Sequence, residues 1–337
     1  MRFRRAAAGG ALIALLAGCA AAPPAEVRPT ATSSGPTTAA ASPTQSPATP
    51  TPASPTAEPT PTPSAPPEWE APNPAKWDLV LDTDFDGSKM PKKWDYRLTD
   101  VYDAGGRWCS APVEKNVEFR DGAARLSMSR ATKKVTTRVS ADAKRKQARA
   151  GEKRVGCPEG VFANAMISTQ DRFTIDTGMV AARVKFPVEQ GAHTGVWLQS
   201  DAQQELDIIE TFGLGRGISN VVHIKGEKIP AAGSDAYVVP EAVADPAWWE
   251  QWHVVSLEWT RSKITFRLDG EVTRELKQKT SKANYFIVLS LLSSDWETYR
   301  LTAPDVRKGS GVDPATLSLP TLPFGMEVDW VRAWERK

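Results

Sequence analysis

The chain has 337 residues, with 42 Lys and Arg against 40 Asp and Glu, for a net charge of +2. So close a balance supplies no global field for nucleic acid, and no partner of that kind is expected. Its three histidines, His193, His223 and His253, show no metal-ligand spacing, and there is no Gly-rich phosphate loop, internal repeat or Ser-His-Asp order.

The N-terminus reads as an export signal. Arg2, Arg4 and Arg5 precede a short apolar core from Ala6 to Ala17, well under the run of about 20 apolar residues that spans a membrane. The core ends in Leu16-Ala17-Gly18-Cys19, which resembles the bacterial lipoprotein processing box. That resemblance implies a signal peptide over residues 1–18 and lipidation of Cys19. An ordinary signal peptide cut near Ala20 to Ala22 would discard Cys19 instead. The protein is thus expected outside the cell, lipid-anchored to the outer face of the bacterial membrane or secreted. Residues 19–75 are built largely of Pro, Thr, Ser and Ala, a composition that buries no core and favours extended conformers. Fully extended, such a stalk reaches on the order of 170 Å.

Residues 76–337 form the expected folded domain, within the range of one large β domain. Cys109 and Cys157 lie in it, and in an oxidising compartment they are expected to form a disulfide. From 131 to 156 nine Lys and Arg face only Asp142 and Glu152, which predicts a solvated, mobile loop; contact with an anionic cell-wall polymer or lipid is the sharper alternative. Strand-like runs recur at 124–129, 179–186, 195–199, 205–211, 221–224, 253–259, 263–268, 285–292 and 327–334. Asp121-Gly122 and Asp269-Gly270 are hairpin signals. The best helix candidate is short, Pro240 to Gln251. Many short strands with tight turns predict an all-β, antiparallel sandwich.

One strand carries the chemistry. In Glu205-Leu206-Asp207-Ile208-Ile209-Glu210, side chains alternate faces, so Glu205 and Asp207 share one face and Leu206 and Ile208 the other. Glu210 falls on the wrong parity. A β-bulge at Ile208-Ile209 returns it to the face of the other acids. Two long Glu side chains flanking an Asp suit retaining glycoside hydrolysis, which needs a carboxylate nucleophile and a carboxylic acid about 5–5.5 Å apart. Close like charges push their pKa values apart, leaving one ionised and one protonated.

Glu205 to Glu210, continued by Thr211-Phe212-Gly213, resembles the active-site strand of family-16 glycoside hydrolases, in the bulged form common among laminarinase-like endo-β-1,3-glucanases. Asp84-Phe85-Asp86-Gly87 with Trp94, the run from Gly178 to Lys185, Trp252-His253 through Glu258-Trp259 to Asp269-Gly270, and the run from Met326 to Arg332 resemble further family strands in the same order. The resemblance implies a concanavalin-like jelly roll with a long concave cleft. It implies Glu205 as nucleophile, Asp207 as its assistant and Glu210 as acid/base. It also implies His223 and Trp197 as cleft residues, each with a plain core role as the alternative, and Trp108 and Trp296 as weaker substrate-binding candidates. Asp329 matches a residue that binds structural calcium in many relatives; no cofactor is required for catalysis.

Two segments depart from the family. His193-Thr194-Gly195 stands where relatives often carry Trp-Pro-Ala, and Ser290-Leu291-Leu292-Ser293-Ser294 where they carry Asn-Leu-Ala-x-Gly-Gly. Both are expected near the cleft. The leading expectation is a monomeric, surface-tethered retaining endo-glycosidase acting on a polysaccharide, β-1,3-glucan first. Galactan, mixed-linkage glucan and transglycosylation are alternatives within the family. Other readings are a catalytically silent glycan-binding lipoprotein and a structural surface protein held by its basic loop.

Overall fold

The computed structural model describes residues 69–98, 110–139, 161–202, 204–214, 218–224, 244–280, 282–293 and 322–337. Cys19, Trp108, Cys109, Cys157 and Trp296 lie outside them, as do the expected signal peptide and most of the linker. Residues Pro23–Glu70 separate as a second unit, of which only Trp69 and Glu70 are described; the strands belong to the other unit. Packing starts slightly earlier than the expected boundary at 76, because Ala71 is buried and the Trp77 indole N–H donates to Pro72 O at 2.8 Å.

Two antiparallel layers face each other. The first runs β10 (Ile218–His223), β9 (Glu205–Thr211), β8 (Ala192–Ser200), β14 (Tyr285–Ser293) and β6 (Phe162–Ser168), with β2 (Asp95–Tyr96) at its far edge. The second runs β5 (Ala123–Arg130), β15 (Phe324–Arg336), β7 (Gly178–Lys185), β11 (His253–Trp259), β12 (Ile264–Leu268) and β13 (Glu271–Leu276). β4 (Val117–Arg120) pairs with β5, and β1 (Trp77–Asp84) lies along β15. The layers join where Ser129 and Arg130 pair with Ala163 and Phe162. The single parallel pairing among the described residues is β3 (Ser110–Pro112) on β6. This is the jelly roll expected from the sequence.

The period-2 pattern explains why the layers stay together. From the first, Val196, Leu198, Leu206, Ile287, Leu289 and Leu291 point inward; from the second, Val180, Val184, Leu257, Trp259, Phe266 and Val331 meet them in one core. β14 is buried on both faces. Phe286, Val288 and Leu292 form a smaller cluster with Met166 on the opposite, cleft side, with Trp197 packed against it.

Both predicted hairpins are present. Asp121 and Gly122 turn between β4 and β5 with φ of 54° and 75°, and Asp269 and Gly270 between β12 and β13 with 51° and 87°. Positive φ at both central residues is the primed turn whose twist suits a two-residue hairpin. The helix is shorter than the run from 240 to 251 suggests. Among the described residues of that run the α-helix is Pro246–Trp249, started by the Asp245 carboxylate accepting from Ala247 N–H, while 240–243 lie outside the described residues.

The basic run also differs at its start. Residues 133–139 are helical rather than a free loop, because Val135 and Val139 are buried against Ala111, Val113, Val161 and Ala163. Residues 140–156 lie outside the described residues. Among the described residues, no helix is long and apolar enough to cross a membrane.

Candidate active site

The misfit of Glu210 is resolved by the backbone. Across β8 the register runs Gly195 to Glu210, Val196 to Ile209, then Trp197 to Asp207, so Ile208 is the extra residue. The β10 side agrees: Ser219 faces Glu210, Val221 faces Asp207 and His223 faces Glu205. Leu206, Ile208 and Ile209 all sit in the core, and the three acids share the opposite face. A bulge leaves a ladder carbonyl short of its partner. Here Asn220 Nδ2 donates to Ile208 O at 2.6 Å. Asn220 is itself held from the second layer, its Oδ1 accepting from Thr273 Oγ1 at 3.1 Å and its backbone carbonyl from Arg274 at 2.7 Å.

Cross-strand pairing sorts the cleft face into rows. His223, Glu205, Gln199 and Phe286 form one; Val221, Asp207, Trp197 and Val288 the next; then Ser219, Glu210, Gly195 and Ser290. His193 and Leu292 pair one row further on. His223 and Trp197 stand on the same face as the acids. The His223 side chain keeps 19% of its exposure, and its Nε2 lies 3.5 Å from Asp207 Oδ2 and 3.9 Å from Glu205 Oε1. Trp197 donates from Nε1 to Ser290 Oγ at 3.0 Å and covers the apolar floor on one side of the acids.

Asp207 and Glu210 are pushed in opposite directions. Asp207 is 3% exposed, and burial, then Glu205, then Glu210 raise it well above the usual carboxylate range. Its protonated form is therefore favoured. Burial alone would raise Glu210 too. The charge and hydrogen bond of His193, the charge of His223 and the hydrogen bond of Ser219 outweigh it, so Glu210 is held below its ordinary value. His193 Nε2 lies 2.6 Å from Glu210 Oε1, and Ser219 Oγ donates to Oε2 at 3.2 Å. Burial keeps His223 low, with Glu210 opposing, so its imidazole is neutral at pH 7.

Sequence reading missed three contributors. His193 stood out as a departure without a role, and Ser219 and Asn220 carried no motif. Arg97 is the fourth surprise: buried over the Phe286 ring at 4.8 Å, it donates to Gln170 and Gln199. Burial, opposed by Glu205, pushes it down to about 10, so it remains a cation under the Glu205 end of the cleft. Its signal was absent because the strand it extends, β2, is two residues long.

Two places bear on metals. One ligand atom each of Glu205, Asp207 and His223 lies within 4.8 Å of the others, a grouping hidden in sequence because it crosses strands. Asp329, the calcium candidate, instead directs its carboxylate at the Arg183 guanidinium, while its backbone carbonyl accepts from Phe85 N–H. Its negative charge is thus already met by a cation of the protein, and these contacts do not fit a calcium ligand set.

A buried acid pushed toward its protonated form, beside another pushed the opposite way, is equipment for moving protons and glycosyl groups, and the chain is a glycoside hydrolase. The family described as Glycosyl hydrolases family 16 matches residues 113–309, more than half of the chain, and the chain belongs to it. Among curated proteins, nothing matches. Solved structures share the fold. The catalytic domain of an endo-1,3-beta-glucanase (laminarinase) from Thermotoga petrophila RKU-1 aligns with TM-score 0.55 and 18% identity, over 77% of this chain and 98% of its own. An endo-beta-1,3-glucanase from Pyrococcus furiosus gives 0.55 and 20%, over 78% and 96%. A structure from work on endo-acting O-glycanases of human gut microbiota that initiate mucin breakdown gives 0.52 and 17%, over 78% and 92%.

Proposed function

We propose that the protein is an exported, retaining endo-β-glucanase that cuts internal β-1,3 linkages of a polysaccharide. The observation that carries the reading is the bulge, which turns Glu205, Asp207 and Glu210 to one face of the cleft between Trp197 and His223. The endo-1,3-beta-glucanases whose structures share its fold support the choice of glucan.

In the first step Glu205 attacks the anomeric carbon while Glu210 protonates the departing glycosidic oxygen, leaving a covalent glycosyl-enzyme. In the second, Glu210 takes a proton from water as that water displaces Glu205 with net retention. Asp207, whose protonated form burial favours, would donate a hydrogen bond to Glu205 during turnover. It thereby stabilises the carboxylate each time Glu205 is released. Lipid anchoring through Cys19, on a stalk over residues 19–75, would hold this domain outside the cell and is part of the same proposal. So is a Cys109–Cys157 disulfide.

Release of reducing ends by the full chain, measured on laminarin, lichenan, agarose and carrageenan, tests the reading. Laminarin should be cut best, and Glu205→Gln should lower the rate by roughly 10³-fold or more. Equal cutting by that variant overturns it. A second substrate reading rests on the rows beside the acids: His193 and Ser290 stand where relatives often carry an aromatic ring and an amide. Preference for a galactan in the same assay would favour it.

A further inference from the structure

Given the reading of Glu210 as acid/base, its surroundings contain a difficulty. The residue must donate a proton near neutral pH, yet its neighbours favour the ionised form. The contact that meets this need is His193. Its Nε2 lies 2.6 Å from Glu210 Oε1, its side chain is 16% exposed against 13% for Glu210, and its ring stacks on Phe212 with centroids 4.5 Å apart. The other carboxylate oxygen is engaged by Ser219 Oγ, a hydroxyl that carries no charge. Among the described residues, the remaining ionisable groups around Glu210 are Asp207 and Glu205 on its own strand and His223 on β10.

We propose that His193 is the positioning residue that stores the acid/base proton, so that His193 and Glu210 act as one titrating pair holding a single proton at working pH. That proton is written either as imidazolium beside carboxylate or as neutral imidazole beside carboxylic acid. In glycosylation the bond from the anomeric carbon to the leaving oxygen breaks and the bond to Glu205 forms. The pair's proton passes from Glu210 to the leaving oxygen, leaving neutral imidazole and carboxylate. In deglycosylation water forms the new bond, Glu205 departs, and one water proton returns to Glu210. When the emptied carboxylate meets an Nε2 lone pair across 2.6 Å, repulsion favours taking that proton back. Coupled groups titrate as a pair, so the basic limb of activity belongs to both residues and not to a lone carboxyl.

The test compares the full chain with His193→Gln, which retains an N–H donor but carries no titrating proton. On the polysaccharide, kcat/KM of the variant should lose its basic limb about one pH unit earlier, with KM within about twofold of wild type. On an aryl β-glycoside with an acidic phenol, which needs no proton to leave, the loss at pH 7.5 should largely vanish. An unmoved limb, or equal loss on both substrates, overturns the proposal. A second measurement needs no turnover: the imidazole titration of His193 followed by NMR should move to lower pH in Glu210→Gln, and an unmoved midpoint also overturns it. Should the wild type cut no glycan, the hydrolase reading fails first, and the NMR titration alone decides the pair.

Discussion

Asp207 shows how stability and chemistry compete at a single position. Its folded pKa lies above the unfolded aspartate value of about 3.9, so the native state binds the extra proton between the two. The stability this contributes is complete below the unfolded value and is lost as pH rises through the folded one. Asp207→Asn abolishes that loss and keeps an N–H donor, but removes the proton that Asp207 can give up and take back beside Glu205. The variant is expected to melt higher than wild type at pH 7, to converge with it near pH 4, and to lose most of its activity; thermal melts across that range check it. Glu210→Gln is expected to cost roughly 10²–10⁴-fold in kcat on polysaccharide and far less on an aryl glycoside with a good leaving group. The acids themselves were legible in sequence because an odd-parity glutamate demands a bulge. His193 was not, since its partner is defined by the β8–β9 register and not by any spacing along the chain.

Among the elements, β9 and β11 match the predicted runs at both ends, because alternation and flanking polar residues agree there. β6 was invisible. Its seven residues are all buried, packed on both faces, so Phe162-Ala-Asn-Ala-Met-Ile-Ser168 shows no alternation to read. β13 escaped for the opposite reason: it is an edge strand with exposed, charged side chains. The bulge that matters most leans on a residue without a motif. Asn220→Ala leaves Ile208 O without its side-chain donor, and should cost about 1–3 kcal/mol of stability. It should lower kcat more than it raises KM, since it touches the bulge and not the sugar; denaturation and steady-state kinetics check both. Gly213, just past β9, holds φ at 89°, and a Cβ there would lie 2.3 Å from Glu189 O. Gly213→Ala should be destabilising by about 1–3 kcal/mol. At Asp329 the Arg183 pair replaces the need for a cation, so a chelator of calcium is expected to leave the melting temperature unchanged.

Across the whole molecule, most of both layers and the cleft face follow from strand patterning, whereas their join through β6 and the chemistry of the cleft wall do not. The acids occupy one strand, but their neighbours come from β8, β10 and β14, brought side by side only by folding. That is why the class of reaction was readable and the sugar less so: the acid-bearing strand is a local pattern, while the cleft wall is made of cross-strand pairs such as Trp197 with Ser290. Anchoring belongs to this scale as well. Replacing Cys19 with Ala should shift the protein from the membrane fraction to the medium, and retention in the membrane would speak against lipidation. The central claim, that the bulged strand presents Glu205 as the nucleophile of a retaining glycosidase, is tested most directly by trapping. The full chain is incubated with a 2-deoxy-2-fluoro β-glucoside oligomer bearing an activated leaving group, digested, and its peptides weighed by mass spectrometry. The expected result is one glycosyl adduct on Glu205, formed with loss of activity. An adduct on Glu210 or Asp207, or undiminished cleavage with no adduct at all, would contradict the claim.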